Sequence, residues 1–149
     1  MTKKNPQMVD ISLKSITRRK AIAIGTLRLK KETIDRVKNG NIEKGDALTV
    51  AKIAGIMAAK NTSNILPLCH PIPISSVDVV DEIGENDVLF KVTVVAESKT
   101  GVEMEALTAV TVALLTLWDM VKQYEKDEEG QYPTTTINSI RVVQKIKKN

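Results

Sequence analysis

Thr100–Glu125, TGVEMEALTAVTVALLTLWDMVKQYE, is the stretch whose reading decides the fold. It opens with Thr-x-x-Glu (Thr100, Glu103), the pattern of a capping box at a helix start. No residue from Ala106 to Leu117 is charged, and only Thr108, Thr111 and Thr116 are polar there. Threonine hydroxyls can bond back to the helix carbonyls. This composition predicts a long helix buried nearly all round. The uncharged run is too short to cross a bilayer, which takes ~20 apolar residues.

The charges at its two ends admit two readings. Glu103 and Glu105 in the first turn either complement the helix dipole or serve a site. Asp119, between Trp118 and Met120, either pairs with Lys122 across one surface turn or sits in an apolar setting. In the second case the carboxylate must find partners or shift its pKa. Glu105 and Asp119 are fourteen residues apart, so they project within about 40° of each other but lie roughly 21 Å apart along the axis. One small substrate does not span that distance. The two ends are therefore expected to serve two pockets, each completed by a second subunit.

Upstream, Ile65-Leu66-Pro67-Leu68-Cys69-His70-Pro71-Ile72-Pro73-Ile74 carries three prolines in seven residues. They forbid a helix and a central strand, leaving an edge or a loop. The only Cys and the only His of the chain are adjacent here. Neighbours on an extended chain point to opposite sides, so a Cys–His nucleophile pair is not expected. Neither does one Cys with one His make a metal site. Cys69 as a buried hydrophobe and His70 as a hydrogen-bonded structural residue are the alternatives to a functional role.

Val77–Ile83 and Val88–Glu97, joined by Gly84-Glu85-Asn86-Asp87, read as a hairpin. Phe90, Val92, Val94 and Ala96 give it one apolar face. Ala21–Arg28, preceded by the basic run Thr17–Lys20, reads as a buried strand. Glu32–Lys38 is a short helix stopped at Asn39-Gly40. Asp46 caps a second helix running to about Lys60, in which Gly55 marks a close approach. Lys44 stands before that helix, either to serve an anion at its N-terminus or as a solvated loop residue. Ile137–Ile146 is a last strand. The order predicts an α+β protein with the ferredoxin-like βαββαβ plan, an antiparallel sheet with helices on one face.

A length of 149 residues predicts one domain over 1–149, with residues 1–15 loose. The net charge of +4 implies a general attraction to anions. Aromatics make up 3% of the chain and do not cluster, which argues against nucleic acid. One cysteine excludes a disulfide framework. With no apolar leader, the chain reads as soluble, cytoplasmic and free of membrane.

Leu68-Cys69-His70-Pro71, Gly101-Val102-Glu103-Met104-Glu105-Ala106-Leu107-Thr108 and Trp118-Asp119-Met120-Val121-Lys122 resemble the cyclic pyranopterin monophosphate synthase, or MoaC, family of molybdenum cofactor biosynthesis. Met8–Ser12, Lys44-Gly45-Asp46 and Ala54–Lys60 fit the same pattern, so the resemblance runs from about Met8 to Lys145. It implies a lyase that converts 3′,8-cyclo-7,8-dihydro-GTP into cyclic pyranopterin monophosphate and releases pyrophosphate. It implies no redox cofactor or resident metal, although Mg²⁺ could accompany the triphosphate. It also implies a homo-oligomer, a hexamer built from dimers, with sites at subunit interfaces. By the same resemblance Leu68, Cys69, His70, Glu103, Met104 and Glu105 line the substrate. Asp119 is the acid–base residue, and Lys44, Lys122 and His70 act with it. Lys145, with Arg19 or Arg28, supplies fixed positive charge. The competing expectations are a non-catalytic ferredoxin-like domain that binds a small anion and regulates a partner, and an RNA-binding domain of the same fold.

Overall fold

The computed structural model describes residues 2–149. Four strands form one sheet: β1 (Thr17–Arg28), β2 (Ile74–Ile83), β3 (Asp87–Ser98) and β4 (Thr136–Lys148). Their order is β2-β3-β1-β4, and every neighbouring pair is antiparallel. Helices α1 (Lys31–Lys38), α2 (Ala47–Lys60), the single turn α3 (Thr62–Ile65) and α4 (Glu103–Glu125) fill the connections. α2 and α4 pack on each other and on the sheet. This is the ferredoxin-like architecture expected from the sequence.

The alternation in β3 works as anticipated. Val88, Phe90, Val92, Val94 and Ala96 are all fully buried beneath the helices, each contributing about 1.5–3 kcal/mol for the larger side chains. β1 is longer than expected. The basic run Thr17–Lys20 belongs to it, because Thr17 pairs with Ser98 and Lys20 with Val95. The prolines keep residues 66–73 out of the sheet, and β2 starts at Ile74 as an edge strand.

Asp46 caps α2 by accepting from the Thr49 amide at 3.1 Å and the Thr49 hydroxyl at 2.7 Å. Gly55 lies where α2 crosses α4. A Cβ there would stand 3.1 Å from the Ala109 carbonyl and 3.3 Å from Ala113. Gly25 of β1 plays the same part under α4, against Leu114 and Ile140. β4 reaches Ile140 through irregular pairing, and Ser139 takes a left-handed φ of 58°.

Two expectations about α4 are corrected. Thr100 is not its cap: Val102 holds that position without a side-chain bond. The Thr100 amide donates instead to Ser98 Oγ at 3.1 Å, and the Glu103 carboxylate folds over Gly101. Nor is α4 buried all round. Ala106, Ala109, Val110, Ala113, Leu114, Leu117 and Val121 are buried, but Met104 and Leu115 on the other side are exposed, Leu115 at 57%. By length and composition α4 would pass for a membrane span, yet half of its apolar window is buried in this fold.

The end of α4 is tied down by a buried carboxylate. Glu125 is fully buried and accepts from the Lys30 amide at 3.1 Å, from the Thr135 hydroxyl at 2.6 Å and from the Thr33 hydroxyl. One side chain thus joins α4, the start of α1 and the approach to β4. Hydrogen bonds offset the cost of burying its polar oxygens.

Candidate active site

The candidate residues named from the sequence, Arg28 apart, lie toward the two ends of α4, where there are two separate open cavities. The first, about 460 Å³, is bordered by Leu68, Cys69 and His70 of the proline-rich segment and by Thr100, Gly101, Glu103 and Met104 at the start of α4. Cys69 and His70 both border it although they are sequence neighbours. The segment is irregular, so strand alternation does not apply to it.

Glu105 stands against Cys69, outside the lining of this cavity. It is 2% exposed, its Oε1 has no hydrogen-bond partner among the described residues, and its Oε2 lies 3.8 Å from Cys69 Sγ. Burial pushes the Glu105 carboxyl above the usual carboxylate range, and the nearby Glu103 charge adds to the rise. The Cys69 thiol is also pushed up, first by burial and then by the Glu105 charge. A thiol held protonated is a poor nucleophile.

Lys145 of β4 reaches back to this end. Its Nζ is 3.4 Å from Glu103 Oε1, a charge contact without hydrogen-bond geometry. Arg19 lies at the same end of the sheet, opposite Ala96 and Lys147. It is buried and donates from Nη2 to the Lys99 carbonyl at 3.3 Å. Arg28 is at the far end of β1, exposed and opposite Asp87. The protomer brings it to neither cavity.

The second cavity, about 260 Å³, is bordered by Leu115, Trp118, Asp119 and Lys122 of α4 and by Ile137 of β4. Trp118 meets Tyr132 edge-on, with ring centroids 5.2 Å apart. Of the two readings of Asp119, the fold provides the surface pair with Lys122 and not the apolar setting. Its side chain is 57% exposed, because the buried stripe of α4 passes through Leu117, Met120 and Val121 and leaves Asp119 on the outer side. The carboxylate is doubly paired instead. Lys122 Nζ lies 3.0 Å from Oδ1, one turn on, and Lys44 Nζ lies 3.2 Å from Oδ2. Lys44 also donates to the Asp119 carbonyl at 2.9 Å. Hydrogen bonds from Lys122 and then Lys44 hold the Asp119 carboxyl below its usual range, and Lys122 is raised in return. Lys44 is thus an exposed loop residue whose ammonium group is held by a carboxylate on α4.

Leu115 and Ile137 at the second cavity carry no chemical signal in the sequence, and only the packing of β4 against α4 places them there. No group of three or more His, Cys, Asp or Glu side chains able to hold a metal ion occurs among the described residues.

The profile described as "MoaC family" matches residues 8–148. A protein of Sulfurisphaera tokodaii named "Probable cyclic pyranopterin monophosphate synthase" is 60% identical over 141 residues, covering 95% of this chain and 93% of that protein. Relatives with the same name are 61% identical in Sulfolobus acidocaldarius (94% of this chain, 98% of the relative) and 57% identical in Pyrococcus abyssi (97% and 91%).

Proposed function

The chain belongs to the MoaC family, and from that premise we propose that it is an enzyme of molybdenum cofactor biosynthesis. It converts 3′,8-cyclo-7,8-dihydro-GTP into cyclic pyranopterin monophosphate with release of pyrophosphate. The observation that carries the reading is the convergence of Lys44, from the α1–α2 loop, and Lys122, from α4, on the carboxylate of Asp119. A domain that only binds an anion has no need to place a carboxylate among its cations.

The reaction opens an imidazole ring and closes a cyclic phosphate. In the closing step a substrate hydroxyl oxygen bonds to the α-phosphorus, the bond to pyrophosphate breaks, and the hydroxyl proton needs an acceptor. Asp119 is that acceptor in our reading, and Lys44 and Lys122 face the phosphates. When phosphate oxygens take up the two ammonium groups, Asp119 loses the bonds that depress its pKa and becomes a better base. At the other cavity, His70, Cys69, Leu68, Met104 and Glu103 shape the pocket for the ring system, with Glu105 behind them and Lys145 at the rim. No resident metal or redox cofactor is required, and any Mg²⁺ arrives with the triphosphate as part of the substrate.

The separation of the two cavities supports sites shared between subunits. The open apolar side of the helix layer supports assembly: Ile53 and Met57 of α2 and Met104 and Leu115 of α4 are all exposed on one protomer. α2 and α4 pack on each other, and exposed apolar side chains on adjoining helices suit an interface. We assign this face to a second copy of the chain, in a hexamer built from dimers, working in the cytoplasm.

A single-turnover experiment with 3′,8-cyclo-7,8-dihydro-GTP tests the function. Stoichiometric pyrophosphate and cyclic pyranopterin monophosphate are expected. Recovery of the bound ligand unchanged would leave only a binding domain.

A further inference from the structure

Lys44 is carried by the exposed loop between α1 and α2, residues 39–46. Two glycines in that loop, Gly40 and Gly45, have positive φ values of 66° and 115°, so its backbone departs from regular structure on both sides of the lysine. An exposed ion pair fixes a long side chain only weakly. The contact between Lys44 and Asp119 therefore does not explain by itself why this loop lies where it does.

The last turn of α4 supplies the missing restraint. The Glu43 amide donates to Tyr124 Oη at 2.8 Å, and Gln123 Nε2 donates to Glu43 Oε2 at 2.9 Å. The guanidinium of Arg36 lies 4.3 Å from the Tyr124 ring centroid and donates to the Asn41 carbonyl at 3.3 Å. Ile42 between them is buried in the core. The backbone immediately before Lys44 is thus held from α4, the helix that also carries Asp119. Gln123 is one turn beyond Asp119 on that helix, so clamp and target share one rigid element.

We propose that Tyr124 and Gln123 are positioning residues for Lys44: their grip on Glu43 aims the neighbouring ammonium group at Asp119. The inference rests on the reading that Lys44 and Asp119 work in one site.

Tyr124→Phe is the informative variant, because it keeps the ring, its packing and the Arg36 contact and removes only the hydroxyl acceptor. In the full-length enzyme kcat is expected to fall about tenfold, the scale of one lost hydrogen bond, with the melting temperature nearly unchanged. A second readout follows Lys44 itself. Its labelling by an amine-reactive acylating reagent, measured by peptide mass spectrometry, should become severalfold faster in Tyr124→Phe, while exposed Lys126 labels at an unchanged rate. A purely structural role would not single out one lysine. Wild-type kcat with wild-type Lys44 labelling in Tyr124→Phe would overturn the proposal and leave the reading of the site intact. Wild-type turnover in Lys44→Ala would bring down both.

Discussion

Lys44 Nζ stands 3.2 Å from Asp119 Oδ2, across seventy-five residues of sequence. With Lys122 on the other carboxylate oxygen, Asp119 is an ionised acid between two cations, open to solvent on the side that borders the second cavity. Exposed pairs of this kind contribute little to stability. Asp119→Asn is therefore expected to melt within a degree or two of the parent. Its single-turnover rate should fall by at least ~10²-fold, the range general acid–base groups supply, since an amide cannot take up the proton. Rates near those of the parent would remove Asp119 from the chemistry.

Glu105 gives a pH dependence of known sign. Its pKa is higher in the folded chain than in the unfolded one, with burial the main cause. The folded state thus holds the proton more tightly. Stability is fully present below the unfolded pKa and declines as pH rises through the folded value. Glu105→Gln removes that decline. Thermal melts at pH 4 should barely separate the two proteins, whereas at pH 8 the variant should be the more stable, even as its turnover falls. A variant less stable at pH 8 than at pH 4, relative to the parent, would contradict this.

Gly25 tests the packing that brings β1, β4 and α4 together. A Cβ there would stand 2.7 Å from Leu114 Cδ1 and 3.1 Å from Ile140 Cγ1. Overpacking of this kind costs about 1–3 kcal/mol, while the alanine returns only about 0.5–1 kcal/mol of backbone entropy. Gly25→Ala should lower the melting temperature by several degrees, at about 2–4 °C per kcal/mol for a chain of this size. An unchanged or raised value in calorimetry would show that Leu114 has room to move.

Shared sites can be tested by complementation. Glu105→Ala and Asp119→Ala are each expected to be inactive. In a mixed dimer one pocket carries both defects and the other carries neither. Equal amounts allowed to exchange subunits should therefore recover up to about a quarter of parental activity, for independent two-chain pockets. No recovery, with mixed oligomers present by native mass spectrometry, would mean that each site is built within one chain.

Hydrophobic periodicity was enough to determine the ferredoxin-like order of elements. Alternation in β3, the cap at Asp46 and the stop at Asn39-Gly40 are local signals, set by neighbours in sequence. The separation of Glu105 and Asp119 into two cavities was equally legible, because it depends only on helix rise. Thr100 does not cap α4, because a carboxylate near a helix start can find another partner, and Glu103 turns toward Gly101 and Lys145. Asp119 takes the surface-pair reading because apolar neighbours on a helix point in other directions than the residue between them. Only the tertiary structure decided that Asp119 is paired with Lys44, that Glu105 is buried against Cys69, and that Tyr124 and Gln123 hold the loop between. Those facts depend on which side chains distant parts of the chain bring within 3–4 Å, and periodicity along one segment carries no information about that.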